Sequence, residues 1–171
     1  MAFFDAFIKI DGIEGESQDS KHGKEIQLMA FQFGAKQATS AAVGGGLGAG
    51  KVEMYDVLFT HVVDKASPLL FLACCTGKHI AKAVLTARKA GTDQQDYLIV
   101  TLKDLMVSNV KSDGAIGGYN LTGVSEPESL PTEVVSLNFT EINIEYKEQG
   151  ADGTLKGSTA GGFNVKTMKK V

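Results

Sequence analysis

The sequence predicts a mainly β fold, either a β-barrel or a two-sheet sandwich, with one short flanking α-helix and a single domain over residues 1–171. Apolar residues recur with a period of two, not 3.6, in most of the chain. Asp-Gly pairs, which accept the backbone of tight hairpin turns, begin at Asp11, Asp113 and Asp152. Only the segment 67–77 has the residue pattern of a helix, and the composition does not change along the chain.

Seven segments carry the alternation expected of strands. In the first segment, Phe7 breaks the alternation, which predicts that both faces of this strand are covered. A change of phase within 25–33, and another between Phe139 and Ile142, each predicts a bulge or a sharp bend. The seven predicted strands are 4–10, 25–33, 51–63, 80–88, 96–110, 133–146 and 162–171.

The predicted helix has recognisable signals at both ends. Ser67 suits the N-cap, Pro68 suits the first helical position, and Gly77 suits the C-terminal stop. The residues between them are apolar on nearly all sides, so neighbouring structure must cover most of the helix surface. The helix therefore packs within the fold, for example at a barrel end, or contacts a neighbouring subunit.

Composition excludes several classes of protein. The net charge is −3, from 17 basic and 20 acidic residues, and no long basic run supports a nucleic-acid surface. No stretch approaches the roughly 20 apolar residues of a membrane helix, so we expect no membrane insertion. The first ten residues lack the basic region of a signal peptide. The two cysteines, Cys74 and Cys75, are adjacent and rarely fit disulfide geometry, which favours synthesis in a reducing cytoplasm.

A glycine-rich run, 45–51, fits the phosphate-loop pattern G-x-x-x-x-G-K, with Val52 in place of the magnesium-binding Ser or Thr. Such loops bind phosphate through backbone N–H groups at a helix N-terminus. Residues 51–63 have strand periodicity instead, so no helix dipole would point at a ligand. We therefore expect a glycine loop between strands and no nucleotide cofactor.

The three histidines do not form a metal-binding pattern. Asp19 and His22 lie in a polar loop, where they can bond to each other or cap a turn. His61 shares a strand face with apolar residues, which is typical of a semi-buried histidine. A metal site usually needs three or four ligands, and we find no other cluster, so no metal cofactor is expected.

Nucleophilic catalysis is also unsupported. Cys75 and His79 could be paired as nucleophile and base, but a thiol on an apolar helix stays protonated and inert. Two pairs of carboxylates lie in loops without an apolar pocket that would separate their pKa values. We interpret these pairs as solvated charges: Glu14 with Glu16, and Glu126 with Glu128. The chain is not expected to be an enzyme.

Four blocks of residues point to a family. The first, FIKIDGIEGESQDSKH, starts at Phe7; the second joins LACCTGKHI, from Leu72, to AVLTARKAG, which ends at Gly91. The others are EVVSLNF at 133–139 and TAGGF at 159–163. In this order and over the whole chain, they resemble the haemolysin co-regulated protein (Hcp) family, which forms the inner tube of the bacterial type VI secretion system. Where that family often has tryptophan, this chain has Phe31, Phe33 and Phe163, which predicts repacking and not another fold.

The resemblance implies that six copies close into a ring and that rings stack into a tube. The tube lies inside a contractile sheath, below a spike protein, and carries small effector proteins in its lumen. The chain would be made in the bacterial cytoplasm and then secreted through this apparatus without a signal peptide.

Two sets of residues are candidates for the contacts of such a tube. Ring formation and stacking need two different heterologous interfaces, one that closes and one that does not. We expect ring-on-ring contact through the polar and glycine-rich loops, with the candidates Ser17, Gln18, Asp19, Gly45, Leu47, Gly48 and Lys51. We expect lateral contact through the apolar helix, with the candidates Leu69, Leu72 and Cys75.

Two other interpretations compete with the tube subunit. The first is a monomeric β-barrel that binds a small ligand, which predicts a single subunit on size exclusion. The second is a phosphate-loop or cysteine-dependent hydrolase, which predicts loss of activity when Lys51 or Cys75 is changed.

Overall fold

The computed structural model describes residues 4–40, 48–89, 94–114, 130–150 and 155–171. These residues form mostly strands with one helix, which confirms the predicted fold class. The elements are β1 (Phe4–Ile10), β2 (Ile26–Leu28), β3 (Ala30–Gln32), β4 (Ala35–Ser40), β5 (Gly48–Met54), β6 (Val57–Val62), α1 (Ser67–Thr76), β7 (Ile80–Lys89), β8 (Asp96–Asp113), β9 (Thr132–Gln149), β10 (Leu155–Asn164) and β11 (Lys169–Lys170).

Strands β8 and β9, each of 18 residues, are the longest and pair antiparallel along their length. On its other edge, β9 pairs with β6 through its first part and with β10 through its second part. Beyond β8 the order continues through β7 and β1 to β2, while β3 pairs with β6. The N–H of Met29, between β2 and β3, donates to the Thr60 carbonyl at 2.7 Å. The two sides of the curved sheet therefore meet at Met29, although the hydrogen-bonded ladder does not close among the described residues.

The two predicted bends have different outcomes. The phase change within 25–33 is confirmed as a break at Met29, where β2 ends and β3 begins. The bulge predicted between Phe139 and Ile142 is wrong, because the β8–β9 register is unchanged there and shifts instead between Val107 and Asn109. At Thr140, β9 exchanges its partner β6 for β10. The buried apolar residues change phase here in both strands, between Phe139 and Ile142 in β9 and between Leu102 and Leu105 on the two sides of Asp104 in β8.

The predicted strand 51–63 is in fact two strands. Tyr55 and Asp56 separate β5 from β6, and the Tyr55 N–H donates to the Gly34 carbonyl at 3.0 Å. Strand β5 pairs with β4, which the sequence did not predict, in a separate two-stranded sheet. The phase of the apolar residues changes between Met54 and Val57, consistent with this division.

The predicted strand 162–171 is also wrong in its extent. Strand β10 ends at Asn164, a turn follows, and the short β11 pairs back onto β10. The Asn164 carboxamide oxygen accepts the Thr167 N–H at 2.9 Å, and Met168 adopts a φ of 56°. A side-chain bond of this type stabilises a turn in place of a continued ladder.

The Asp-Gly turn predicted at Asp11 is confirmed. Gly12 has a φ of 79°, and the Ile13 N–H donates to the Ile10 carbonyl at 3.1 Å. Strand β8 ends at Asp113, and the pair at Asp152 lies outside the described residues.

Helix α1 begins and ends close to its predicted bounds. Pro68 lies in the first turn, and Gly77 ends the helix with a φ of 62°. The predicted N-cap is wrong, because Ala66 occupies that position and Ser67 is the first helical residue. The Ser67 hydroxyl instead accepts the Asp64 N–H at 3.1 Å, within the turn that precedes the helix. Leu70 and Ala73 face inwards, and the helix packs against β8.

The core lies inside the curved sheet and is almost entirely aliphatic. Burying one such side chain stabilises the fold by about 1.5–3 kcal/mol before losses of entropy. The residues with at most 1% of their surface exposed include Ile8, Ile26, Val57, Phe59, Leu85, Val100, Leu102, Val135 and Leu137. Phe7 lies on the opposite face of β1 from Ile8 and is also buried, so the predicted covering of both faces is confirmed.

Residues 14–25, named here the clamp loop, cover that second face. A Cβ on Gly15 would lie 2.4 Å from the Glu25 carbonyl oxygen, so the two arms of the loop approach too closely for any side chain. The Gly15 N–H donates to the Lys24 carbonyl, and the Ser17 N–H donates to the Glu25 carbonyl. Lys24 has a φ of 63°.

We expect Gly15→Ala to lower the free energy of unfolding by about 1–3 kcal/mol, because backbone must move to admit the methyl group. Urea denaturation measures this change. Gly161→Ala is the matched control, since nothing lies within 4 Å of the added Cβ, and its effect should stay below about 1 kcal/mol. Equal midpoints for both variants would contradict the close packing of the clamp loop.

Candidate assembly surfaces

The outer face of α1 is an exposed apolar surface. Leu69, Phe71 and Leu72 have 46%, 60% and 57% of their surface exposed, and Cys75 is exposed beside them. The three residues predicted for lateral contact therefore all lie on the surface, while Phe71 was not predicted. Its exposure follows from the burial of Leu70 on the other side of the same helix. Clustered large apolar residues on a surface are typical of interaction sites.

A second apolar patch surrounds a pocket of about 660 Å³. Met29 and Leu130 are 61% and 70% exposed, and Val63 lies beside them. Ser17 and Gln18 of the clamp loop form the polar side of the same pocket. The sequence did not predict this patch, although the change of phase near Met29 indicates that this side chain leaves the core.

The clamp loop holds three of the predicted stacking residues in different environments. Gln18 is exposed, whereas Ser17 is half-buried and its hydroxyl accepts the Asp19 N–H at 3.2 Å. The Asp19 carboxylate accepts the backbone N–H groups of Lys21 and His22 at 2.9 and 3.1 Å, which confirms a turn-capping role. Its second oxygen faces inwards, so of these three residues Ser17 and Gln18 are the ones that can offer side-chain polar groups to a neighbour.

Arg88 of β7 binds that second oxygen and is only 3% exposed. The hydrogen bond from Arg88 holds the pKa of Asp19 well below its ordinary range, and Asp19 in turn raises the pKa of Arg88. Asp5 of β1 lies 3.5 Å from the guanidinium, which also lies 4.9 Å from the centre of the Phe7 ring. The clamp loop is therefore joined to the barrel wall through a buried ion pair.

His22 makes the second attachment of the clamp loop. Its ring stacks on Phe7 with 4.6 Å between ring centres and 7° between ring planes. Nδ1 lies 3.0 Å from the Glu25 carboxylate, and Nε2 lies 3.2 Å from the Asp96 carboxylate of β8. The loop is thus attached to β1, β7 and β8 at once.

The glycine-rich run contains the other stacking candidates. Gly45 and Leu47 lie outside the described residues, whereas Gly48 opens β5 and Lys51 is exposed within it. Lys51 is followed by strand to Met54, so the helix that a phosphate loop needs does not follow it. This confirms the predicted strand after Lys51.

The other candidates for chemistry are occupied by structural contacts. His61 is fully buried, not semi-buried as predicted, with its Nε2 2.8 Å from the Glu133 carboxylate, though not aligned for a hydrogen bond. His79 pairs with Asp104 at 3.2 Å and not with Cys75. Within the described ranges, no group of three His, Cys, Asp or Glu side chains could hold a metal.

Of the four carboxylates predicted to be solvated, two lie among the described residues. Glu14 is exposed and makes surface ion pairs with Lys24 and Lys65 at 3.6 and 3.4 Å. Glu16 is exposed and accepts the Lys65 backbone N–H at 3.1 Å. The pair Glu126 and Glu128 lies outside the described residues.

The sequence matches a known family over most of its length. The family model described as "Type VI secretion system effector, Hcp" matches residues 7–146. Protein hcp1 of Pseudomonas aeruginosa is 43% identical over 164 residues, which cover 95% of each chain. The chain belongs to the Hcp family.

Solved structures agree with this membership. A type six secretion system protein superposes with a TM-score of 0.89 at 29% identity, covering 98% of this chain and 99% of the other. Hcp1 of Salmonella typhimurium gives 0.74 at 32% identity, covering 99% and 100%. This Hcp chain is therefore a structural tube protein of type VI secretion, not an enzyme, and is secreted by that system; its family membership favours this function over that of a monomeric ligand-binding barrel.

In the part of the chain that is described, no helix combines the length and the apolar character needed to cross a bilayer.

We expect Asp19→Asn to lower the free energy of unfolding at pH 7 by about 3 kcal/mol, because it leaves the buried Arg88 without its anion. The pKa of Asp19 is lower in the folded than in the unfolded chain, so the carboxylate stabilises the fold above about pH 4. This stabilisation is lost as the pH falls further, and the difference between the two proteins should shrink towards pH 2. Urea denaturation across this range measures it.

Glu14→Gln is the control for this prediction, since Glu14 makes only exposed ion pairs worth less than about 1 kcal/mol each. A loss for Asp19→Asn that is small at pH 7, or the same at pH 7 and pH 2, would contradict the role given to the buried pair.

Proposed function

We propose that six copies of this Hcp chain close into a ring and that the rings stack into a tube. The tube lies within a contractile sheath and below a spike protein, and small effector proteins travel in its lumen. The chain is made in the bacterial cytoplasm and leaves it without a signal peptide. No nucleic acid or membrane insertion is involved. The observation that carries this proposal is the exposed apolar face of α1.

The lateral contact is assigned to that face. Three large side chains, Leu69, Phe71 and Leu72, project from one helix whose opposite side is fixed to β8. The helix is therefore a rigid support, and little conformational entropy is lost when its outer face is covered. Cys75 lies beside these residues and would be buried with them. A stable interface of this kind covers about 800 Å² on each partner, so further residues around the helix must take part.

The stacking contact is assigned to a different set of residues. Ser17 and Gln18 lie on a loop that a buried ion pair holds in place, and Lys51 is exposed on the β4–β5 hairpin. Polar and charged groups of this type form interfaces that are specific but weaker than apolar ones. Asp19 supports this surface from beneath through Arg88. Gly45, Leu47 and Gly48, which lie between Ser40 and Lys51 in the sequence, remain candidates.

We expect Leu72→Glu to break the ring, because the charge would have to be desolvated at the centre of an apolar contact. Size exclusion with light scattering should give six chains for the wild type and one for the variant, with association weakened more than about tenfold. Leu72→Met, which conserves volume and apolar character, should keep the ring. A ring that persists in Leu72→Glu would exclude α1 from the lateral contact.

We expect Gln18→Trp to leave single rings intact but to shorten or abolish tubes, because the indole would prevent close approach of the next ring. Negative-stain microscopy of concentrated protein measures tube length, and light scattering measures the ring. Gln18→Ala, which removes bulk at the same position, should stack as the wild type does. Tubes of unchanged length in Gln18→Trp would remove the clamp loop from the stacking surface.

A further inference from the structure

Among the histidines in the described residues, His22 has the largest number of charged groups around it. It is 6% exposed, and the groups gathered around it come from four elements. Its own loop contributes Asp19, Lys21 and Glu25, β1 contributes Asp5, β7 contributes Arg88, and β8 contributes Asp96. Four carboxylates thus face two cations, one of which, Lys21, points outwards and donates to the Gln94 carbonyl. The cluster therefore has a net negative charge, and a protonated His22 would partly neutralise it.

The hydrogen bonds that the His22 ring can donate depend on its protonation state. A neutral imidazole has one N–H donor and one bare nitrogen, whereas the imidazolium has two donors. Here both nitrogens face carboxylate oxygens, at 3.0 Å for Glu25 and 3.2 Å for Asp96. Only the protonated ring can donate to both, and the neutral ring places a lone pair against an anion.

The two carboxylates lie on different parts of the fold. Glu25 ends the clamp loop, and Asp96 begins β8. The protonated ring therefore bridges the loop to the barrel wall, and the neutral ring leaves one of these two bonds unmade. Phe7 stacks on the imidazole in either state and keeps it in position.

We propose that His22 is a proton-dependent latch for the clamp loop. The loop is held tightly when the imidazole is charged and more loosely once it has lost its proton. The protonated ring donates both to Glu25 of its own loop and to Asp96 of β8, and the Asp96 bond is lost when the loop detaches, so the latch is strongest at acid pH. It weakens once the imidazole loses its proton. The Asp19–Arg88 pair stays ionised in both states of the ring and prevents full release.

The latch has a consequence that rests on the proposed function. Ser17 and Gln18, the stacking candidates, directly precede Asp19, the first attachment point of the loop. If these residues contact the next ring, tubes should be favoured at acid pH and should shorten as the pH rises.

Amide hydrogen exchange followed by mass spectrometry tests the latch on the intact protein. The N–H groups of Gly15, Ser17 and Lys24 bond across the loop, so peptides within 14–25 report its attachment. Protection factors, corrected for the intrinsic pH dependence of exchange, should fall by about tenfold between pH 5.5 and pH 8.5, the worth of one charge-assisted bond. His22→Gln should have low protection that does not change with pH.

Two further variants make the result decisive. His79→Gln removes an exposed histidine that pairs with Asp104, far from the clamp loop in sequence, and should keep the full pH dependence. Asp96→Asn keeps the stacked imidazole but removes one anion, and should reduce the change with pH even if His22→Gln does not fold. Protection that is constant in the wild type, or that still changes in His22→Gln, would overturn the latch.

Sedimentation of the same samples separates the latch from the proposed function. Protection that changes with pH while tube length does not would leave the latch standing and remove the clamp loop from the stacking contact. Tube length that changes with pH while the protection of 14–25 does not would overturn the latch.

Discussion

The antiparallel pairing of β8 with β9, from Leu98 opposite Tyr146 to Asp113 opposite Thr132, is the interaction on which the other elements depend. The edge of β9 that faces away from β8 pairs with β6 before Thr140 and with β10 after it. Asp104 of β8, opposite Thr140, adopts a φ of 48°. One strand therefore belongs both to the barrel wall and to the C-terminal hairpin. Helix α1 packs on β8, and the clamp loop reaches the start of the same strand at Asp96. The two surfaces proposed for assembly are thus held by one rigid pair of strands.

Buried charge explains why the clamp loop lies against β1 and β7. Arg88 is nearly inaccessible to solvent, and its Nε and Nη1 have no hydrogen-bond partner among the described residues. Removing such a cation from water costs several kcal/mol unless an anion compensates it. Asp19 provides most of that compensation, Asp5 a smaller part, and the face of Phe7 the remainder. If the loop detached, the Arg88 guanidinium would lose Asp19, its main anionic partner. The position of the loop therefore follows from the position of Arg88 in β7.

Local patterns revealed the strands whose apolar residues alternate, such as β1, β7, β8 and β9. They missed β4, because Ala35–Ser40 has no alternation of apolar and polar residues, and they joined β5 to β6 because the change of phase spans only two residues. Polar partners far apart in sequence could not be found this way: Asp19 and Arg88 are 69 positions apart, and His22 and Asp96 are 74 apart. The sequence predicted an apolar helix at 67–77 but not all the residues of its exposed face. A helix that is apolar on all sides does not indicate which side faces the core.

A tube of stacked rings requires that one chain present two different complementary surfaces, one for closing a ring and one for extending a tube. Native mass spectrometry of the purified wild-type protein, recorded over a range of concentrations, tests this most directly. We predict a six-chain particle that persists on dilution, with multiples of six chains appearing only as the concentration rises. A single chain at every concentration, or a continuous series of odd and even oligomers without a closed species, would contradict it.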